Sequence, residues 1–123
     1  MEILKKQILG KSKKIKVQYI TRMWELAIKN NNTDDIKVLS NFAILTKIRP
    51  GAFLIQQLQK VIIPDSVTTI GDGAFGSNYL KEIIIPSSVT TIGDGAFAKN
   101  DLRTIKIPDY VTTIGDGAFA NNK

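Results

Sequence analysis

Asp72, Asp94 and Asp116 stand 22 residues apart, each between two glycines, in a nonamer, VTTIGDGAF, that recurs unchanged at 67–75, 89–97 and 111–119. Glycine and aspartate in this order suit two chemistries. One is a loop whose backbone amides cradle phosphate. The other is a carboxylate ladder holding divalent cations through oxygens at about 2.3 to 2.6 Å. A structural use competes with both, in which each carboxylate caps amides two residues on within its own turn. Calcium-binding parallel rolls repeat every nine residues, so a period of 22 favours the turn. Asn78, Asn100 and Asn122 form a second column, and stacked asparagines can hydrogen-bond amide to amide. The pairs Thr68-Thr69, Thr90-Thr91 and Thr112-Thr113 offer hydroxyls, but no base accompanies them.

The chain has no histidine and no cysteine. That removes imidazole catalysis, thiolate chemistry, disulfides and zinc sites of the usual kind. Gly10-Lys11-Ser12 resembles the end of a phosphate-binding loop, yet the glycine required five residues earlier is Lys5. Asn31-Asn32-Thr33 matches a glycosylation acceptor and reads as a polar loop. The expectation is a non-enzymatic protein with no catalytic residue, no metal and no cofactor.

The elements that would position these columns follow from the period. The nonamer lies inside longer units, VIIPDSVTTIGDGAFGSNYLKE from 61, IIIPSSVTTIGDGAFAKNDLRT from 83 and IKIPDYVTTIGDGAFANNK from 105. A fainter copy precedes them, with Ile48, Gly51, Ala52, Phe53 and Leu58 in register with Ile70, Gly73, Ala74, Phe75 and Leu80. Leu80, Ile83 and Ile85 follow the strand pattern of a leucine-rich repeat, closed by Pro86, which cannot donate to a ladder. Val89 to Ile92 reads as a second short extended segment, Gly93-Asp94-Gly95 as a turn, and Ala96-Phe97 as the start of a helical or 3-10 turn. A single unit buries too little apolar surface to offset its ordering entropy, so units must stack. The expected fold is a leucine-rich repeat solenoid over 41–123, made of one degenerate, two complete and one truncated unit.

The string L-x-x-I-x-I-P-x-x-V-x-x-I-G-x-x-A-F, present from Leu80 to Phe97 and from Leu102 to Phe119, resembles the BspA-like, or treponemal-type, leucine-rich repeat. That resemblance implies a curved right-handed solenoid of parallel strands. It also implies protein contacts, as in the bacterial surface and secreted proteins, protist proteins and large-virus proteins that carry such repeats.

Residues 1–40 read as a basic arm and a small helical N-terminal cap. Ile20, Met23, Trp24, Ala27 and Ile28 fall on one helical face, with Trp24 as core. Asn30-Asn31-Asn32 should end that helix, and Thr33 or Asp34 should N-cap a second through Ile36, Leu39 and Phe42. Of the net charge of +6, residues 1–20 carry +5, from six lysines against Glu2. Lys5 to Lys16 could therefore meet nucleic acid or an anionic membrane, which is the alternative reading of function. No export signal or membrane span is apparent, so the sequence-based expectation for location is cytoplasmic.

Function is expected on the face where the copies differ. Gln59, Lys60 and Ile62, then Lys81, Glu82 and Ile84, then Arg103, Thr104 and Lys106, should point outward on the concave face; these are where the copies differ most, along with Asp65, Ser87 and Asp109 and with Ser66, Ser88 and Tyr110. Lys60, Ile62, Glu82, Ile84, Thr104, Lys106 and Tyr110 are the candidate contact residues for an unidentified protein partner. Four strands give a face of only about 300 Å², against about 800 Å² per partner in a standard interface. Binding there should be weak unless assembly enlarges it. The last copy stops at Asn122-Lys123 with no following strand, which suggests a homo-oligomer through that coil or a piece of a longer array.

Overall fold

The computed structural model describes residues 13–40 and 45–122, with side chains from residue 18. The chain divides into two compact units, Met1–Leu45 and Thr46–Lys123.

In the first unit, α1 spans Lys13–Lys29 and α2 spans Thr33–Ser40, and the two pack on each other. Neither contains glycine or proline, and the apolar spacing of α1 buries Ile20, Trp24, Ala27 and Ile28. Asn31 ends α1 in the left-handed region at φ 54°. Its amide bonds Ile28 O, while the Asn32 amide bonds Ala27 O at 2.9 Å, the paired C-terminal bonds of a Schellman motif. Asn32 then starts α2, accepting from the Asp35 amide at 3.2 Å and donating Nδ2 to Asp35 Oδ2 at 3.0 Å. The N-cap is therefore Asn32, not Thr33 or Asp34. Those two already lie in the first turn, where Asp34 favours the positive end of the helix dipole. Leu39 is buried; Phe42 lies outside the described residues.

The second unit is a stack of coils. Four two-residue strands, β1 (Lys47–Ile48), β2 (Thr69–Ile70), β3 (Thr91–Ile92) and β4 (Thr113–Ile114), pair in parallel in that order. Register is kept at 22 residues, so Ile48, Ile70, Ile92 and Ile114 form one column. The ladder bonds continue past the strands around the corner, with Gly93 N on Ile70 O and Phe75 N on Ala96 O, both at 2.8 Å.

Sequence pattern alone placed a strand at Ile83 and Ile85, and the ladder runs elsewhere. Residues 83–85 keep the alternation, with Ile83 and Ile85 buried about an exposed Ile84, but make no coil-to-coil backbone bond. Alternation requires only an extended backbone. A ladder also requires neighbouring chains about 4.8 Å apart, and that approach is made on the Thr-Ile-Gly side. There a Cβ on Gly71 would lie 2.5 Å from Pro50 N, and one on Gly93 2.6 Å from Asp72 N. The second glycine of each corner serves another need: Gly73, Gly95 and Gly117 sit at φ of 63°, 60° and 62°. Beyond the corner, Ala96 N bonds Gly93 O and Ala98 N bonds Gly95 O; these are successive β-turns, the first with Gly95 at positive φ, in place of the expected helical or 3-10 turn.

The core repeats coil by coil. Phe53, Phe75, Phe97 and Phe119 stack with centroids 5.2, 5.3 and 5.5 Å apart and ring planes within 15°, an offset parallel arrangement. Val67, Ile70, Ala74 and Leu80 enclose this column, as do Val89, Ile92, Ala96 and Leu102 one coil on.

Candidate functional site

The three polar columns are consumed by coil stacking. Asp72 Oδ1 accepts from the Asp94 amide at 2.8 Å, and Asp94 Oδ1 from the Asp116 amide at 2.7 Å. Each carboxylate thus reaches the next coil rather than capping its own turn, because the tight glycine contact brings that amide closer than any local one. Among the described residues no group of three or more acidic side chains could hold a metal ion.

The asparagines bond to backbone, not to one another. Asn100 Nδ2 donates to Phe75 O, Phe97 O and Ala98 O at 2.9 to 3.3 Å, and its Oδ1 accepts from Leu80 N at 3.0 Å. Asn78 and Asn122 repeat the pattern one coil either side. Here the chain turns with carbonyls pointing inward, and a buried carbonyl requires a donor more than one asparagine requires another. Thr68, Thr90 and Thr112 give their hydroxyls to Thr46 O, Thr68 O and Thr90 O, which leaves them as struts. Lys5 to Lys16 and Gly10-Lys11-Ser12 lie outside the residues whose side chains are described.

What remains is the variable face. Ile62 is 69% exposed, Ile84 84% and Tyr110 73%, while their neighbours Val61, Ile63, Ile83 and Ile85 are buried. Lys60, Glu82, Thr104 and Lys106 are exposed as well. Two open clefts run between successive coils. The first, of about 570 Å³, is lined by Ile62 and Ile84 together with Lys60, Lys81, Glu82, Asp65 and Pro86. The second, of about 440 Å³, joins Ile84 to Lys106, Asp109 and Tyr110. Six of the seven sequence-predicted contact residues line these clefts; Thr104 borders neither.

A second exposed apolar group, Leu54, Ile55 and Tyr79, was missed by sequence reasoning. Its signal was present: Leu54 and Ile55 occupy columns held elsewhere by Gly76, Ala98 and Ala120 and by Ser77, Lys99 and Asn121. Ile55 also sits at φ 54°, an unusual conformation for a β-branched residue.

The coil over 105–122 differs from those before it. Ile114 is 49% exposed where Ile70 and Ile92 are fully covered, and Val111 and Phe119 are half-buried.

A family model described as a BspA type leucine rich repeat region (6 copies) matches residues 12–123. Among solved structures, a leucine-rich repeat protein from Bacteroides ovatus is similar at 38% identity and a TM-score of 0.55. The match covers 62% of this chain and 23% of that one, so the chain spans under a quarter of that protein's length. No curated protein matches the chain.

Proposed function

This chain belongs to the BspA-type leucine-rich repeat family, and on that premise we propose that it is a non-enzymatic protein-contact module whose contact surface is the Ile62–Ile84–Tyr110 face. Repeats of this family generally serve as protein-interaction modules. The observation that carries the assignment is Ile84, 84% exposed between two buried isoleucines and bordering both clefts. Covering a large aliphatic side chain contributes about 1.5 to 3 kcal/mol. Ile62 and Ile84 together therefore support a weak, rapidly exchanging contact on a face this small.

Panning the full chain against a displayed peptide library tests this. Enriched peptides should lose binding to Ile62→Asp and Ile84→Asp variants whose circular dichroism matches the parent. Peptides that enrich and bind both variants unchanged would refute the assignment.

Contact between copies is a second reading, favoured by Ile114. Its half-exposed side chain lies on β4, whose outer edge no other described strand pairs. Sedimentation of the full chain should show a concentration-dependent dimer that Ile114→Asp abolishes; a monomer at all concentrations would remove this reading.

A further inference from the structure

The free end of the coil stack is complementary to itself. In the stack, Ile70 O accepts from the Gly93 amide and Ile92 O from the Gly115 amide, both at 2.8 Å, so these carbonyls face the following coil. Ile114 O holds the same place on β4, beyond which no described strand lies. In an extended strand the amide and carbonyl of one residue point to the same edge, and an antiparallel hydrogen-bonded pair exchanges both bonds. Ile114 therefore meets a second Ile114 with donor on acceptor in both directions. Residues directly opposed across a ladder also share a face, so the two Ile114 side chains, each 49% exposed, cover one another. That continues the column of Ile48, Ile70, Ile92 and Ile114, in which like already stacks on like.

The other end of the ladder offers no such surface. β1 also has a strand on one side only, yet Ile48 is 2% exposed and Phe53 fully buried, whereas Phe119 is half-buried. Head-to-tail stacking would join the β4 edge of one copy to the β1 edge of the next, and that second edge presents no open apolar residue. The β4 edge is left to meet its like, and an isologous contact closes at two copies.

We propose that two copies of this chain pair β4 antiparallel to β4 about a two-fold axis through Ile114, joining their four-stranded sheets edge to edge. The proposal rests on the copy-to-copy reading of the β4 edge, and adds its direction, register and stoichiometry. The contact is small, because residues 105–122 form a single coil, fewer than the about 20 to 30 residues a side of a standard interface. Such a dimer exchanges rapidly with monomer.

Disulfide trapping tests it, in a chain that has no cysteine of its own. Across the two-fold axis the paired Ile114 Cα atoms lie about 5.5 Å apart, within the roughly 4.4 to 6.8 Å that a disulfide spans. Thr112 and Asp116, two residues away on either side, each lie more than about 13 Å from the same residue of the other copy. Under oxidised glutathione, the full chain carrying Ile114→Cys should form a linked dimer at least about tenfold faster than chains carrying Thr112→Cys or Asp116→Cys, all three with the parent's circular dichroism. Sedimentation of the parent chain should show monomer and dimer and nothing larger. Equal linking rates in the three variants, or species that grow beyond two copies, would overturn the antiparallel pairing while leaving contact between copies standing. A monomer at every concentration, with no faster linking of the Ile114→Cys chain, would overturn both.

Discussion

Removing the Asn100 side chain should cost less than its hydrogen-bond count implies. Asn100→Ala deletes four bonds, but three of the groups it served keep another donor. Phe75 O retains Asn78 Nδ2 at 3.0 Å, Phe97 O retains Asn122 Nδ2 at 3.0 Å, and Ala98 O retains the Ser77 amide at 2.8 Å. Only the Leu80 amide, on a fully buried residue, loses its sole acceptor. One orphaned buried amide costs about 1 to 3 kcal/mol, which for a unit of this size lowers Tm by about 4 to 8 °C per kcal/mol. Asn100→Asp sharpens the test. It keeps an acceptor for Leu80 but sets a carboxylate against three carbonyl oxygens that now receive Nδ2 within 3.3 Å. The introduced carboxyl is held above the usual aspartate range, so the folded state favours its neutral form. Its stability is present below the unfolded aspartate value and is lost as pH rises through the raised folded value. Urea titrations should rank Asn100 above Ala above Asp at neutral pH, with the Asp variant recovering on acidification. An Ala variant within 0.5 kcal/mol of the parent, or an Asp variant as stable as the parent at pH 7, would refute the assignment.

The two glycines of one corner should separate in thermal melts. Gly95→Ala, whose Cβ would meet only Ala98 Cβ at 3.9 Å but at φ 60°, should cost about 1 kcal/mol. Gly93→Ala, driven into the backbone of Gly71 and Asp72, should cost several times more or prevent folding. Ile55→Asn should raise stability by about 1 kcal/mol, since asparagine tolerates φ 54° better than a β-branched residue and Ile55 is 67% exposed. Ile84→Asp should leave the unfolding free energy from urea titration within about 0.5 kcal/mol of the parent, as expected for an exposed position, while abolishing contact at the clefts.

Much of the coil was readable in its own residues. The alternation at 61–63 and 83–85 correctly divided buried from exposed, because burial on an extended segment follows a period of two. It could not show which of two β-rich segments carries the ladder. A purely local reading likewise sent each aspartate to its own turn and each asparagine to its neighbour in the column. Both instead bond a backbone group of an adjacent coil, about 22 residues away. The strained Ile55 gives no propensity signal beyond its mismatch with Ser77, Lys99 and Asn121 in the same column.

The sequence by itself determined the period, the stacking of like on like, the apolar column and the exposed face, because each depends on side-chain type repeated at a constant interval. Only the tertiary structure decided where the coils touch. The approach at Gly71, Gly93 and Gly115 sets the ladder and draws Asp72 and Asp94 across to the next coil, leaving Ile62 and Ile84 beside open clefts. Those outcomes depend on distances between residues 22 positions apart, which no run within one unit encodes.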